Sequence, residues 1–127
     1  MNPAKPRPGT VPERAAAGAR AEALAAEFLV ARGLTIVARN FRARRGEIDL
    51  IARDGATLVF VEVRLRRSQY FGGAAASITR AKSARLLAAA QVYLARLGHE
   101  PPCRFDAVLL DGLDAAHIAW ERDILST

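Results

Sequence analysis

A mixed α/β fold, one β-sheet with helices packed on it in the order α-β-β-β-α-β-β, is the architecture this sequence predicts. Three observations predict it. Two alanine-rich stretches carry apolar residues at helical spacing. Short runs rich in Val, Ile and Phe alternate with turn residues. An Asp54-Gly55 pair joins two of those runs in the manner of a β-hairpin.

Residues 1–9 hold Pro3, Pro6 and Pro8 among basic neighbours and read as a disordered tail, leaving 10–127 as one domain. Thr10-Val-Pro-Glu13 has capping-box spacing and opens a helix that runs to Arg32 and closes at Gly33. Ala17, Ala21, Leu24, Ala25, Phe28 and Leu29 form its apolar face, with Glu22 at the border of that stripe. LTIVARNF at 34–41 is the first strand, and strands over 47–53 and 57–65 make the hairpin. RRSQYFGGAAAS at 66–77 reads as a loop, since Gly72-Gly73 breaks any period. Leu86, Leu87, Ala90, Tyr93, Leu94 and Leu97 recur at helical spacing over 79–97, where Gly98 ends the helix. Strands RFDAVLL at 104–110 and HIAW at 117–120 complete the order.

With 127 residues, 51% hydrophobic and 25% charged, the composition is that of an ordinary globular chain. No apolar run is long enough to cross a bilayer, so nothing is expected to span a membrane. The start has no apolar stretch of the secretory kind. Cys103 is the only cysteine, which excludes an internal disulfide and fits a reducing cytoplasm. The net charge of +6 rests almost wholly on arginine, Lys5 and Lys82 being the only lysines. Such a charge favours polyanions, nucleic acid first and anionic membrane second, although heavy Ala and Arg usage also follows from a GC-rich coding sequence. Arg39, Arg42, Arg44 and Arg45 precede the hairpin, and Arg64, Arg66 and Arg67 follow it.

Inside that basic frame the hairpin is acidic. With Asp54-Gly55 as the turn, Arg53 faces Ala56, Asp49 lies opposite Phe60, and Glu47 lies opposite Glu62. Glu47, Asp49, Glu62 and Arg64 then share one face. Diagonal neighbours on a sheet lie roughly 7–8 Å apart, so Asp49 and Glu62 can reach inward to one divalent cation. Oxygen donors without histidine or cysteine favour Mg²⁺ or Mn²⁺. The plain alternative is a set of surface ion pairs, Glu62 with Arg64 or Glu47 with Arg44 or Arg45, worth about 0–1 kcal/mol each.

Gly18-x-x-Ala21-Glu22, Phe28-Leu29, Arg39-Asn40, GEIDLIA at 46–52, VFVEVR at 59–64, FGGAAASITRAK at 71–82, RFDAV at 104–108 and the closing HIAW resemble the YraN family of small bacterial proteins. That family is similar to PD-(D/E)XK nucleases of the Holliday junction resolvase type, so the resemblance implies a restriction-endonuclease-like core. It also implies Asp49 and Glu62 as metal ligands, the backbone carbonyl of Val63 as a further ligand, and Glu22 as the helix-borne glutamate. Arg64 stands where the nuclease signature usually has lysine. A guanidinium can stabilise phosphate charge, but its pKa above about 12 bars it from acting as a base.

These readings converge on a Mg²⁺-dependent endonuclease acting on DNA, with branched DNA as a substrate. Its expected catalytic residues are Asp49, Glu62, Arg64 and Glu22, and Glu47 would support the metal. Arg42, Arg44, Arg45, Arg66 and Arg67 would grip the nucleic-acid backbone without reading sequence. Lys82, at the start of the second helix, would reach a phosphate or remain a solvated lysine. Ser68, Gln69 and Tyr70 form a polar loop suited to contact a strand. Resolvase-like enzymes act as dimers, so the resemblance adds a homodimer, for which no face is legible. The alternatives are a nucleic-acid-binding module of the same fold without cleavage, and a basic protein that meets an acidic protein or lipid. His99 and His117 lack companions at ligand spacing, Trp120 reads as packing at a sheet edge, and Cys103 reads as a small buried residue.

Overall fold

Helix α1 (Val11–Ala31) stops where the sequence tells it to. Gly33 adopts φ 94 and donates to Val30 O at 3.0 Å, while Leu34 N–H reaches back to Leu29 O at 3.1 Å. This pair of bonds is a complete Schellman motif, with Leu34 and Leu29 buried together beneath it. The structure, a computed structural model, describes residues 11–66, 80–113 and 117–125. The expected tail at 1–9, the Thr10 cap, and most of the 66–77 loop with Arg67, Ser68, Gln69 and Tyr70 lie outside those residues.

Strands β1 (Thr35–Ala43), β2 (Gly46–Asp54) and β3 (Thr57–Arg66) form an antiparallel meander. Helix α2 (Arg80–Leu97) then leads to β4 (Cys103–Asp111), which runs parallel to β3, and β5 (Ile118–Glu121) closes the far edge antiparallel to β4. Strand order in the sheet follows chain order, β1 to β5. The element order is the predicted α-β-β-β-α-β-β. Among the described residues no helix is long and apolar enough to cross a membrane.

Each helix covers one face of the sheet. Ala21, Leu24, Ala25, Ala26 and Leu29 of α1 pack on Leu50, Ala52, Val59, Val61, Val63, Val108 and Leu110. Leu86, Ala89 and Ala90 of α2 pack on Ile48, Ile51, Leu58 and Phe60. Small alanines let the α1 backbone lie close to the sheet. Aromatic rings fill the other side, where Tyr93 meets Phe41 and Phe60 edge-on with centroids 5.2 and 6.0 Å away. Contrary to expectation, Cys103 is exposed. It opens β4 just after Pro101-Pro102, before the strand enters the core.

Candidate functional site

The hairpin tip lies one residue later than the sequence predicts. Asp54 pairs with Thr57, and Gly55-Ala56 make the turn, with Gly55 at φ 62. A positive φ at the first of two loop residues is where a type II′ turn wants glycine. Asp54 stays in the strand because its carboxylate accepts from Arg104 Nη2 at 3.0 Å. Every opposed pair therefore moves by two residues, which preserves faces but changes partners. Ile51 rather than Asp49 faces Phe60, and Glu47 does not oppose Glu62. The assigned ladder ends at Leu50↔Val61, and one step beyond it lie Asp49 and Glu62.

At that point the sheet forks. Ile48 and Ile51 both face α2, whereas Leu50 and Ala52 face α1, so side-chain alternation along β2 breaks around Asp49. Across from it on β1, between the Arg39↔Leu50 and Phe41↔Ile48 pairs, Asn40 takes φ 51. Asparagine tolerates this left-handed backbone better than most residues. Asp49 Oδ2 accepts the Val63 N–H at 2.8 Å, a side chain taking up a strand donor just past the end of the ladder.

Two carboxyl groups adjoin at the fork, and a third approaches one of them from α1. Glu62 is buried and paired with Arg64, and lies within hydrogen-bonding reach of Asp49. Glu22 approaches from α1, within hydrogen-bonding reach of Asp49 and Asn40. Burial first, and then the Asp49 charge, push the Glu62 carboxyl up to about 7. Burial also raises Asp49, against the pull of the Val63 N–H and the Arg64 guanidinium. Glu22 is raised by burial and by Asp49. Carboxyls near enough to share a proton have unrelieved negative charge between them, and a cation can take the proton's place. Arg64 Nε is buried and makes no hydrogen bond among the described residues. An orphaned donor of this kind calls for an acceptor.

The other expected residues are distributed as follows. Glu47 is 63% exposed and faces Arg42 at 3.7 Å, although its charge still raises both Asp49 and Glu22. Among the described residues no three His, Cys, Asp or Glu side chains converge as a metal-binding group. The fork therefore offers two adjoining carboxylates, not a closed cage. Lys82 is half-buried, and burial and the Arg64 charge lower its pKa while Glu62 and Asp49 pull the other way. Arg44 and Arg45 form the exposed turn between β1 and β2, and Arg42 precedes them. Arg66 ends β3 opposite Asp111.

Residues 21–110 match the model of the Uncharacterised protein family UPF0102. The chain belongs to the UPF0102 family, also called YraN. It is similar to a UPF0102 protein of Methylobacillus flagellatus, 53% identical over 86% of this chain and 96% of that one. The UPF0102 protein RSc3265 of Ralstonia nicotianae is 53% identical over 93% of each chain. The UPF0102 protein NE0719 of Nitrosomonas europaea is 56% identical over 84% of this chain and 90% of its own length. The UPF0102 match covers Glu22, Asn40, Asp49, Glu62, Arg64 and Lys82.

Two residues of this region escape sequence reasoning. Asn40 looks like an ordinary polar strand residue, and only its left-handed backbone and its contact with Glu22 reveal it. Asp106 is fully buried in β4 and accepts from Arg104 Nε at 3.1 Å, Trp120 Nε1 at 2.9 Å and Asp123 N–H at 2.9 Å. Its signal was an acid amid the apolar run FDAVLL, which reads equally as strand or site. Here it ties β4 to β5 and, through Arg104, to the hairpin at Asp54.

Proposed function

We propose that this protein binds nucleic acid and hydrolyses phosphodiester bonds as a Mg²⁺- or Mn²⁺-dependent endonuclease, with branched DNA as a substrate. The observation that carries this reading is the fork itself, where Asp49 and Glu62 come into contact beside Arg64 and Glu22. Asp49 and Glu62 would hold the ion, with the Val63 carbonyl as an additional oxygen donor. When bound, such an ion supplies charge neutralisation at a phosphate and acidifies its own water.

The protein's own residues do the rest. The Val63 N–H fixes the Asp49 carboxylate, so its remaining oxygen is pre-oriented. Arg64 lends positive charge to a phosphate, and its orphaned Nε is a donor without an acceptor among the described residues. Glu22 holds its proton more tightly than a free glutamate, which suits it to exchange a proton with water or a leaving oxygen. Glu47 adds negative field from the rim rather than a ligand. Arg42, Arg44 and Arg45 would meet the phosphate backbone, with Arg66, Arg67 and Lys82 as further contacts.

The test is Mn²⁺-dependent cleavage of a four-way DNA junction by protein purified free of host nucleases. Asp49→Asn is expected to lower cleavage by at least on the order of 100-fold while leaving junction binding within about twofold. Full cleavage by Asp49→Asn would remove the endonuclease reading. The second reading is a nucleic-acid-binding module without cleavage. The Glu62–Arg64 ion pair favours it, because it satisfies one of the two carboxylates internally. Salt-sensitive junction binding with no Mn²⁺-dependent cleavage by the native protein would select that reading.

A further inference from the structure

Beside the acidic fork lies an open cleft of about 330 Å³ lined by Arg42, Ala43, Arg44, Arg45, Gly46, Glu47 and Arg85. Four arginines and one glutamate line it, which leaves three positive charges in excess. The cleft joins two elements distant in sequence, the β1–β2 turn and the exposed face of α2. We infer that it is a clamp for a backbone phosphate of a nucleic-acid strand, with Arg85 of α2 as the jaw opposite the Arg44-Arg45 turn.

Three observations carry this inference. The first is how the cleft is built. A Cβ at Gly46 would lie 1.9 Å from the Arg85 backbone carbonyl oxygen, so only glycine lets the turn seat against α2. The two jaws are therefore locked together by backbone contact, so the two segments that carry the arginines keep one relative position before any ligand arrives. The second is charge. Like charges brought together in an open cleft repel, and an anion is what relieves them. A phosphodiester fits, because guanidinium forks match phosphate oxygens in geometry.

The third is position. Glu47, on the cleft wall, belongs to the same strand as Asp49, and Arg85, on the opposite wall, lies about one helical turn from Lys82 on α2. Cleft and fork are thus neighbours on both walls. Along β2, Glu47 precedes Asp49 by two residues, roughly 7 Å of strand. A strand gripped in the cleft would present a phosphate one or two nucleotides away to Asp49, Glu62 and Arg64.

The clamp rests on the nucleic-acid reading proposed above but not on cleavage, so it is tested by binding alone. Binding of a fluorescein-labelled four-way DNA junction is followed by anisotropy in EDTA over a range of salt concentrations. Arg85→Gln is expected to weaken binding roughly 5- to 10-fold at low salt and to flatten the plot of log Kd against log salt by about 0.7–0.9, the loss of one phosphate contact. Replacing Arg44 and Arg45 together by Gln should remove about twice that slope. Arg32→Gln, a change at the far end of the sheet where Arg32 stacks on Phe28, should leave the slope unchanged. Inorganic phosphate at millimolar levels should compete with the junction for the native protein and much less for Arg85→Gln. An unaltered slope in folded Arg85→Gln, or no salt-sensitive binding by the native protein, would overturn the clamp. A reduced slope in a protein that never cleaves would uphold the clamp and dismiss the endonuclease. Cleavage with an unaltered slope would do the reverse.

Discussion

Arg64 is the residue that bears most directly on the cleavage proposed above. Its guanidinium pairs with Glu62 and its Nε lacks an acceptor among the described residues, so it is held by one edge only. Lysine at this position would keep the positive charge and give up the fork geometry. It would also add an amine whose pKa responds to burial. Arg64→Lys is therefore expected to keep or raise Mn²⁺-dependent junction cleavage, measured as initial rates beside the native protein. A cleavage-dead lysine variant with intact binding would assign the guanidinium a role that charge alone does not explain. Glu22 and Asn40 show the limit of reading residues singly. Helical angle already put Glu22 at the edge of the buried stripe, but its partner Asn40 is marked only by a backbone angle of φ 51.

Among the elements, the one that holds the hairpin in register is β4. Arg104 donates to both Asp106 and Asp54, and Asp106 also gathers Trp120 and the Asp123 N–H. Three strands are cross-linked by charged hydrogen bonds around one carboxylate with no solvent exposure. Asp106→Asn replaces an acceptor-only group by an amide that must point two donors somewhere. We expect it to destabilise the fold by about 2–4 kcal/mol in urea unfolding, with the denaturant slope unchanged. Junction binding below the unfolding transition should persist, since Asp106 is fully buried and its hydrogen bonds go to Arg104, Trp120 and the Asp123 N–H. The turn shift belongs to the same scale. Sequence marks Asp54-Gly55 as a bend, yet Asp54 is recruited into the strand by Arg104, fifty positions away.

For the molecule as a whole, the acidic fork makes stability depend on pH. Glu62 titrates near 7 in the folded state against an ordinary glutamate value of 4.5. The folded chain thus binds a proton that the unfolded chain has released between those values. Stability from this group is complete below pH 4.5 and disappears as the pH rises through about 7. Asp49 and Glu22, also raised, act in the same direction. The native protein should therefore lose melting temperature from about pH 5 to about pH 8, and Glu62→Gln should flatten that decline in scanning calorimetry. A cation that binds the ionised pair would reverse the loss. Mn²⁺ should raise the melting temperature more at about pH 8 than at about pH 6, and the gain should vanish in Glu62→Gln.

Much of this protein was legible in one dimension. Helical period, β-rich runs and turn residues are local properties, which is why the element order and the apolar face of α1 follow from the sequence. A shift of two residues would keep strand parity, but alternation along β2 breaks at Asp49, so it is the fork in the sheet and not parity that brings Asp49 beside Glu62. Distant chain segments decided what sequence did not reveal. The hairpin register was set by Arg104, the exposure of Glu47 by its place beside Arg42, and the cleft by Gly46 meeting the backbone of α2 at Arg85. Hydrogen bonds and close packing act between groups that meet only when the chain has folded, and no spacing along the sequence records such a meeting.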